Sequence, residues 1–425
     1  MIQALYYLFF AVSTYLLIRS KSEFIYLIPL FNVISDTSFN YFLGFSAPTF
    51  LRAGILTLFL IYAYPYYKGK TIGKPFYWFF LYVIIMTISS GEFAYSLKGS
   101  YQVIVSMALF MTGYGLINCY SRLKRLMKAL YWVIIFSVVI TALGYLFNIG
   151  QALEYTTDST YEGGPENVGL LGSGGLYTPA VLLILFPFFL KMHFGLMKKW
   201  VLYASMLILY IFIILNVRRT AILIPIVGSI GFLLYSNFRR KYIQYLLIGG
   251  SLLILLFPLY SSYFMRRYEA RENSGRFEED FYKTEARYIE NVEMVESITT
   301  FKEPFKVLFG VGNNIFAEHV ENNEIARRMF HSDSAKLFYG VGLFGIFLYL
   351  AIFVRLIWEI LKIPARGILK DLKSAALGLV LILLFVSLNG SVNLITFRSV
   401  TFLLLGSFIG FAHSIMKTNG RVLAE

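Results

Sequence analysis

Runs of apolar residues, each about as long as a membrane-crossing helix, recur along the whole chain and are separated by short polar connections. An α-helix needs roughly 17 to 25 such residues to cross about 30 Å of hydrocarbon. The second run is short, and a half-span there would change the count. The pattern predicts about thirteen spans, near 2–18, 23–36, 48–65, 75–91, 100–119, 127–148, 175–194, 200–216, 220–236, 242–262, 334–358, 374–389 and 399–416.

The composition agrees with this pattern. Of the 425 residues, 58% are hydrophobic and 15% are charged, whereas a soluble domain has about 25% charged residues. The net charge is +14, but the lysines and arginines lie in short clusters between the apolar runs, where the positive-inside rule accounts for them. We therefore expect an all-α integral membrane protein, a polytopic helical bundle of about 12–13 transmembrane helices, and no binding of nucleic acid.

Few residues suggest a metal ion or a redox group. Cys119 is the only cysteine, so the chain can form neither a disulfide framework nor a thiolate metal site. The sequence contains no HExxH motif and no pair of aspartates with a single residue between them. We expect no metal ion and no other cofactor.

The basic connections predict the orientation of the chain. The positive-inside rule places these short clusters in the cytoplasm and the alternate connections outside. One external connection, residues 154–166, is acidic and contains no lysine or arginine. The same fit puts the C-terminal tail inside and Met1 outside, although the side of Met1 depends on the short second span. The basic clusters are at 19–23, 66–74, 120–128, 191–199, 237–241 and 359–373.

One long polar segment interrupts the apolar pattern and is expected to be a large external loop. It divides the chain into an N-terminal bundle of about ten spans (1–262), the loop (263–333), and C-terminal helices with a short cytoplasmic tail (334–425). Within the loop, apolar positions at helical spacing predict a short amphipathic helix that lies against the membrane face. These positions are Tyr288, Val292, Val295 and Thr299.

Four arginines are expected at the external face, against the charge rule that the rest of the chain obeys. Arg218 and Arg219 stand side by side in an external turn at 216–220, and Arg52 and Arg398 fall at or just below the same face. Ionisable groups at such positions are costly and often functional, although arginines also anchor helix ends by reaching the lipid headgroups. The planar guanidinium makes paired contacts with phosphate oxygens, so the cluster suits a lipid-linked phosphate or diphosphate.

A histidine stands where the large loop returns to the membrane. His331 is followed by Ser332 and Asp333. An imidazole titrates near neutral pH and is the commonest general base, but a single histidine near a membrane interface also serves as a plain polar cap. Both interpretations of His331 stay open on the residues alone.

The order of these features resembles the O-antigen ligase and Wzy-type polymerase superfamily. An external arginine turn (NVRRTAIL) comes first, followed by a large loop with an arginine at a helix start (EARYIENVEM). The motif PFKVLFGVG and a histidine leading into a span with GVGLFG come next, and the glycine-rich GLLGSGGLY precedes them all. The resemblance covers about residues 160–350.

The resemblance implies a metal-independent glycosyltransferase whose donor is a saccharide on undecaprenyl diphosphate, at the external face of the bacterial plasma membrane. By residue, it implies that Arg219 and Arg287 hold the diphosphate and that His331 acts on the acceptor hydroxyl. In the scheme that follows from this, Asp333 orients His331. Arg52 and Arg398 would join the arginine clamp.

Four departures from the family pattern leave assignments open. The family histidine is often followed directly by an asparagine or aspartate, whereas here Ser332 stands between the histidine and Asp333. Arg218 stands where the family commonly has a serine, so either member of the pair could bind the diphosphate. Arg276 in NSGRFEED competes with Arg287 as the loop arginine. Thirteen spans also exceed the twelve usual in the family.

The resemblance favours a polymerase that joins lipid-linked oligosaccharide repeat units into O-antigen, capsular polysaccharide or exopolysaccharide, because every pathway of this type needs one. The first alternative is a ligase that transfers the chain from undecaprenyl diphosphate to a lipid A core. The second is a flippase or other transporter, in which a basic cavity would equally explain the arginines. The implied partners are the lipid-linked donor and acceptor, the bilayer and a chain-length regulator.

Overall fold

The computed structural model describes residues 2–39, 47–91, 93–147, 149–150, 170–171, 175–191, 199–216, 219–237, 239–273, 286–310, 333–388 and 395–422. Within these ranges the chain forms helices and turns, and no strand. The helices are α1 (Ile2–Arg19), α2 (Phe24–Phe39), α3 (Ala47–Tyr67), α4 (Lys74–Ile88), α5 (Phe93–Leu116), α6 (Tyr120–Phe147), α7 (Tyr177–Leu183), α8 (Phe186–Lys191), α9 (Lys199–Leu215), α10 (Arg219–Tyr235), α11 (Arg239–Asn273), α12 (Ala286–Thr300), α13 (Pro304–Phe309), α14 (Asp333–Lys362), α15 (Gly367–Leu388) and α16 (Ile395–Val422).

Seven helices in the described ranges are long and apolar enough to cross a membrane, namely α3, α4 with the short turn before it, α6, α11, α14, α15 and α16. Helices α1, α2, α9 and α10 are apolar but shorter. The described part is therefore all-α with helices of membrane-crossing length, and at this level the prediction from the sequence is confirmed.

Within the single span predicted at 175–194, the described residues 175–191 contain two short helices, α7 and α8, with a turn at Ile184 and Leu185 between them. Pro187 explains the break. Proline has no backbone N–H to donate to the carbonyl four residues earlier, and it disfavours helical backbone in the residue before it. An apolar run alone could not distinguish these two helices from one.

Helix α16 lies at the centre of the bundle and α11 at its edge, because 78% of the residues in the most apolar stretch of α16 are buried, against 6% for α11. Glycines bring the backbones of α5 and α16 together. A Cβ atom at Gly406 would overlap the carbonyl oxygen of Phe110, and one at Gly410 would overlap that of Tyr114. Small residues allow such close helix packing inside membranes.

We expect Gly406→Ala to destabilise the protein by about 1–3 kcal/mol, because the new methyl group must push α16 away from α5. Gly250→Ala is the matched control, since Gly250 lies inside α11 with no atom within 4 Å of the added methyl group. Replacing this partly exposed helical glycine with alanine should raise stability by about 0.5–1 kcal/mol. Thermal unfolding in detergent measures the stability of both variants. Equal changes in their unfolding temperatures would contradict the close packing of α5 and α16.

Helix α14 is sharply bent at Gly342, where φ is 65° and ψ is −174°. In a straight helix Asp333 and Tyr349 would lie about 24 Å apart, yet both side chains bond the guanidinium of Arg398. The single span predicted at 334–358 is therefore two helical pieces, 333–341 and 343–362. The bend needs a positive φ, which glycine adopts without a steric penalty.

The end of α13 packs closely against this bend. Gly310 also has a positive φ of 82°, and a Cβ there would lie 2.6 Å from the carbonyl oxygen of Gly340. The hydroxyl of Tyr82 on α4 lies 3.1 Å from the carbonyl oxygens of both Phe309 and Val341. This part of the predicted loop is thus fixed to two helices of the bundle.

Candidate functional site

Arg398 and Asp333 form a buried ion pair where α14 and α16 begin. Their side chains are only 2% and 1% exposed, and Arg398 Nη2 lies 2.8 Å from Asp333 Oδ2. Arg398 also donates to the Tyr349 hydroxyl at 2.9 Å and to Ser387 Oγ at 3.0 Å. A buried pair of charges persists when further hydrogen bonds satisfy it, and here the bonds join α14, α15 and α16.

A second ion pair lies beside the first. Arg52 at the start of α3 donates to Asp36 Oδ1 near the end of α2 at 2.5 Å, and to Thr396 Oγ1 at 3.1 Å. Thr396 is two residues before Arg398, so the two pairs flank the first turn of α16. The Asp36 side chain is 31% exposed and that of Arg52 is 9% exposed. The second pair therefore borders accessible space, and the Arg398 pair does not.

Arg267 is a buried arginine at this same end that the sequence did not single out. It lies near the end of α11 and is 2% exposed. Its Nη1 donates to the Leu215 carbonyl at 2.6 Å and to the Tyr145 hydroxyl at 3.0 Å. Leu215 is the last residue of α9, so Arg267 holds the backbone that leads into the predicted arginine turn. Arginine is almost never fully buried unless it is paired.

Arg267 was not predicted to be a buried residue because the sequence placed the end of this span at residue 262. In the structure α11 continues to Asn273, so residues 263–273 are helical. From the sequence, these residues belong to the polar start of the external loop. The pattern MRRYEAR carries the signal only in retrospect, as a basic pair about two turns before the end of the helix. The neighbour Arg266 is exposed, which shows that charge alone does not distinguish the two.

Helix α12 packs onto the 333–341 piece of α14 with its polar face. Asn291 Oδ1 accepts a hydrogen bond from Ser334 Oγ at 3.2 Å, and Ser297 is hydrogen-bonded to the Tyr339 hydroxyl. Glu290 on the same face is 1% exposed. These contacts attach the described part of the loop to the helix that carries Asp333.

The stripe of apolar positions predicted for α12 is the face that stays exposed. Tyr288, Val292 and Val295 are each about half exposed, and Thr299 is exposed too. The polar face is buried instead because the 333–341 piece offers hydroxyl groups as hydrogen-bond partners. The apolar stripe stays available for the membrane face, which is where the sequence predicted it.

Several predicted site residues fall outside what the structure describes. His331, Arg218 and Arg276 lie there entirely, while Arg219 and Arg287 are described by their backbone alone, at the start of α10 and in the first turn of α12. The structure brings Arg52, Arg398 and Asp333 together. Among the described residues, no group of three or more His, Cys, Asp or Glu could hold a metal ion.

The arrangement suits an anion. At this end of the bundle, α3, α10 and α16 begin without an acidic residue in their first turn, and the N-terminus of a helix carries a partial positive charge. The chain matches no family model, and no curated protein sequence matches it. Evidence for a function therefore rests on the residues and their geometry.

Proposed function

We propose that the chain is a membrane glycosyltransferase that joins undecaprenyl-diphosphate-linked oligosaccharide repeat units into a polysaccharide at the external face of the bacterial plasma membrane. The observation that carries the proposal is that Arg52, Arg267 and Arg398 are all buried and lie at the same end of the bundle as the described part of the predicted arginine turn. The charge rule predicts few arginines at that end. Arg52 borders accessible space, where it can meet a ligand with several negative oxygens, while Arg267 and Arg398 are bonded inside the protein.

The proposed topology has about thirteen crossing segments. The seven long helices and the four shorter apolar ones supply eleven of them. Helix α5 and the pair α7 and α8 cover the remaining predicted segments. In this topology α12 and α13 belong to the large external loop, and the Arg398 pair lies on the external side.

The arginines have different roles in this scheme. Arg52 contacts the diphosphate, because its partner Asp36 is partly exposed and an incoming anion can take its place. Arg398 is a positioning residue, because its guanidinium is buried and bonded to Asp333, Tyr349 and Ser387. Arg219 and Arg287 complete the clamp, with Arg218 and Arg276 as the competing positions. Together these cations stabilise the charge that develops on the diphosphate in the transition state.

His331 takes the proton from the acceptor hydroxyl in the proposed reaction. The hydroxyl oxygen forms a bond to the anomeric carbon, and the bond between that carbon and the diphosphate breaks, so the diphosphate leaves with the electron pair. Direct displacement inverts the anomeric configuration. Asp333 accepts a hydrogen bond from Arg398, and we propose that it anchors the chain just after His331. Two residues span at most about 7 Å.

The test is the size distribution of undecaprenyl-linked saccharides in the parent bacterium after deletion of the gene. Accumulation of single repeat units on the external face is the expected result. Long chains that stay on the lipid carrier and never reach the cell-surface acceptor would identify a ligase, which uses the same donor. Repeat units trapped on the cytoplasmic face would overturn the enzyme proposal in favour of a flippase.

A further inference from the structure

Two polar side chains are buried where α2 meets α16 without a hydrogen-bond partner among the described residues. Asn32 on α2 is 0% exposed, and neither its Oδ1 nor its Nδ2 has a partner there. Ser399 on α16 is also 0% exposed, and its Oγ has none. Burying an amide or a hydroxyl without hydrogen bonds is costly, and native proteins rarely do so.

The two groups lie at the same helix contact and at a similar level. The hydroxyl of Thr396 donates a hydrogen bond to the backbone carbonyl oxygen of Asn32 at 3.4 Å, which joins α16 to α2. Residues three or four apart share one face of a helix. Asn32 is therefore one turn from Asp36, and Ser399 is one turn from Thr396, in both cases further into the bundle. The pair of orphan groups thus lies one turn below the ion pair of Arg52 and Asp36.

The chemistry of these groups selects the ligand. The amide of Asn32 needs a donor for its oxygen and an acceptor for its nitrogen. An anion would satisfy only the nitrogen, and a cation would satisfy only the oxygen and be repelled by the nearby Arg52. A water molecule donates and accepts, and internal waters typically bridge buried groups of this kind. We propose that the contact between α2 and α16 is an internal hydration site, with bound water bridging Asn32 and Ser399.

Water at this position gives the site a role in ligand exchange, a consequence that rests on the proposed function. The hydration site lies next to Arg52. The proposed diphosphate reaches Arg52 only when the Asp36 carboxylate moves away from it. A charged pair separates at lower cost in polar surroundings than in apolar ones. The hydration site therefore eases the exchange of Asp36 for the substrate anion, while its existence depends only on the two orphan side chains.

The first test is the direction of the change in thermal unfolding temperature of Asn32→Leu. Leucine has nearly the same shape as asparagine but makes no hydrogen bonds. A bound water would lose partners and Ser399 would lose its bridge, so we expect the Tm to fall by about 2 °C or more. If the contact is dry, the variant removes an unpaired buried amide and the Tm rises, which overturns the proposal.

A second variant keeps the test decisive if Asn32→Leu does not fold. Ser399→Ala should also lower the Tm, and an unchanged or higher Tm would count against the bridge. A cryo-electron microscopy map of the protein in lipid nanodiscs, at a resolution that shows ordered water, supplies the direct measurement. Density within hydrogen-bond distance of Asn32 and Ser399 supports the site, and a map with ordered water elsewhere but none here rejects it. Neither readout depends on enzymatic activity.

Discussion

Arg398→Met is expected to lower the free energy of unfolding by about 3–5 kcal/mol, because it leaves the Asp333 carboxylate as an unpaired charge inside the protein. Asp333→Leu should have a similar effect, because it leaves the guanidinium of Arg398 without its carboxylate partner. The double variant should recover much of the loss, since replacing a buried ion pair by apolar residues of similar volume is often neutral. Thermal unfolding of the four proteins gives the coupling energy of the pair.

An exposed ion pair in the same chain provides the control. Arg125 Nη1 lies 2.7 Å from Glu23 Oε1, but the two side chains are 61% and 50% exposed. Exposed pairs contribute at most about 1 kcal/mol because water and salt screen them. Arg125→Met should therefore change stability little. Equal losses from Arg125→Met and Arg398→Met would show that burial of the Arg398 pair does not govern its contribution.

Much of the helical framework is predictable because local patterns determine it. Apolar runs of membrane-crossing length are sufficient to place most of the described long helices. The positive-inside rule marked Arg52 and Arg398, and both prove to be buried. Their partners could not be predicted, because Asp36 and Asp333 meet them only through the packing of separate helices. No local pattern relates residue 333 to residue 398.

The features that sequence patterns missed depend on tertiary contacts. The amphipathic pattern of α12 identified the helix and its apolar face. It did not identify the polar partners on 333–341 against which the other face packs, since these are far away in sequence. The bend at Gly342 looks like an ordinary glycine in an apolar span until Gly310 and Tyr82 are seen to pack against it. Arg267 is indistinguishable from Arg266 until α9 is in place beside it.

Arg219→Ala is expected to reduce transfer of the lipid-linked saccharide at least about 100-fold, because the loss of one preorganised charged donor to a developing oxyanion has effects of this size. Arg219→Lys should recover only part of the activity, since lysine keeps the charge but lacks the planar fork that binds two phosphate oxygens at once. The measurement is the chain length of product made by the purified protein from labelled lipid-linked repeat units.

Arg266→Ala is the matched control for this loss. It removes one positive charge at the same end of the bundle, from an exposed side chain, and should leave the product length unchanged. Full activity of Arg219→Ala would remove that residue from the diphosphate clamp. If Arg218→Ala is then inactive, the clamp survives with the other arginine of the turn as its ligand. If both single variants and the double variant are fully active, the turn binds no diphosphate, and the proposed arginine clamp is wrong.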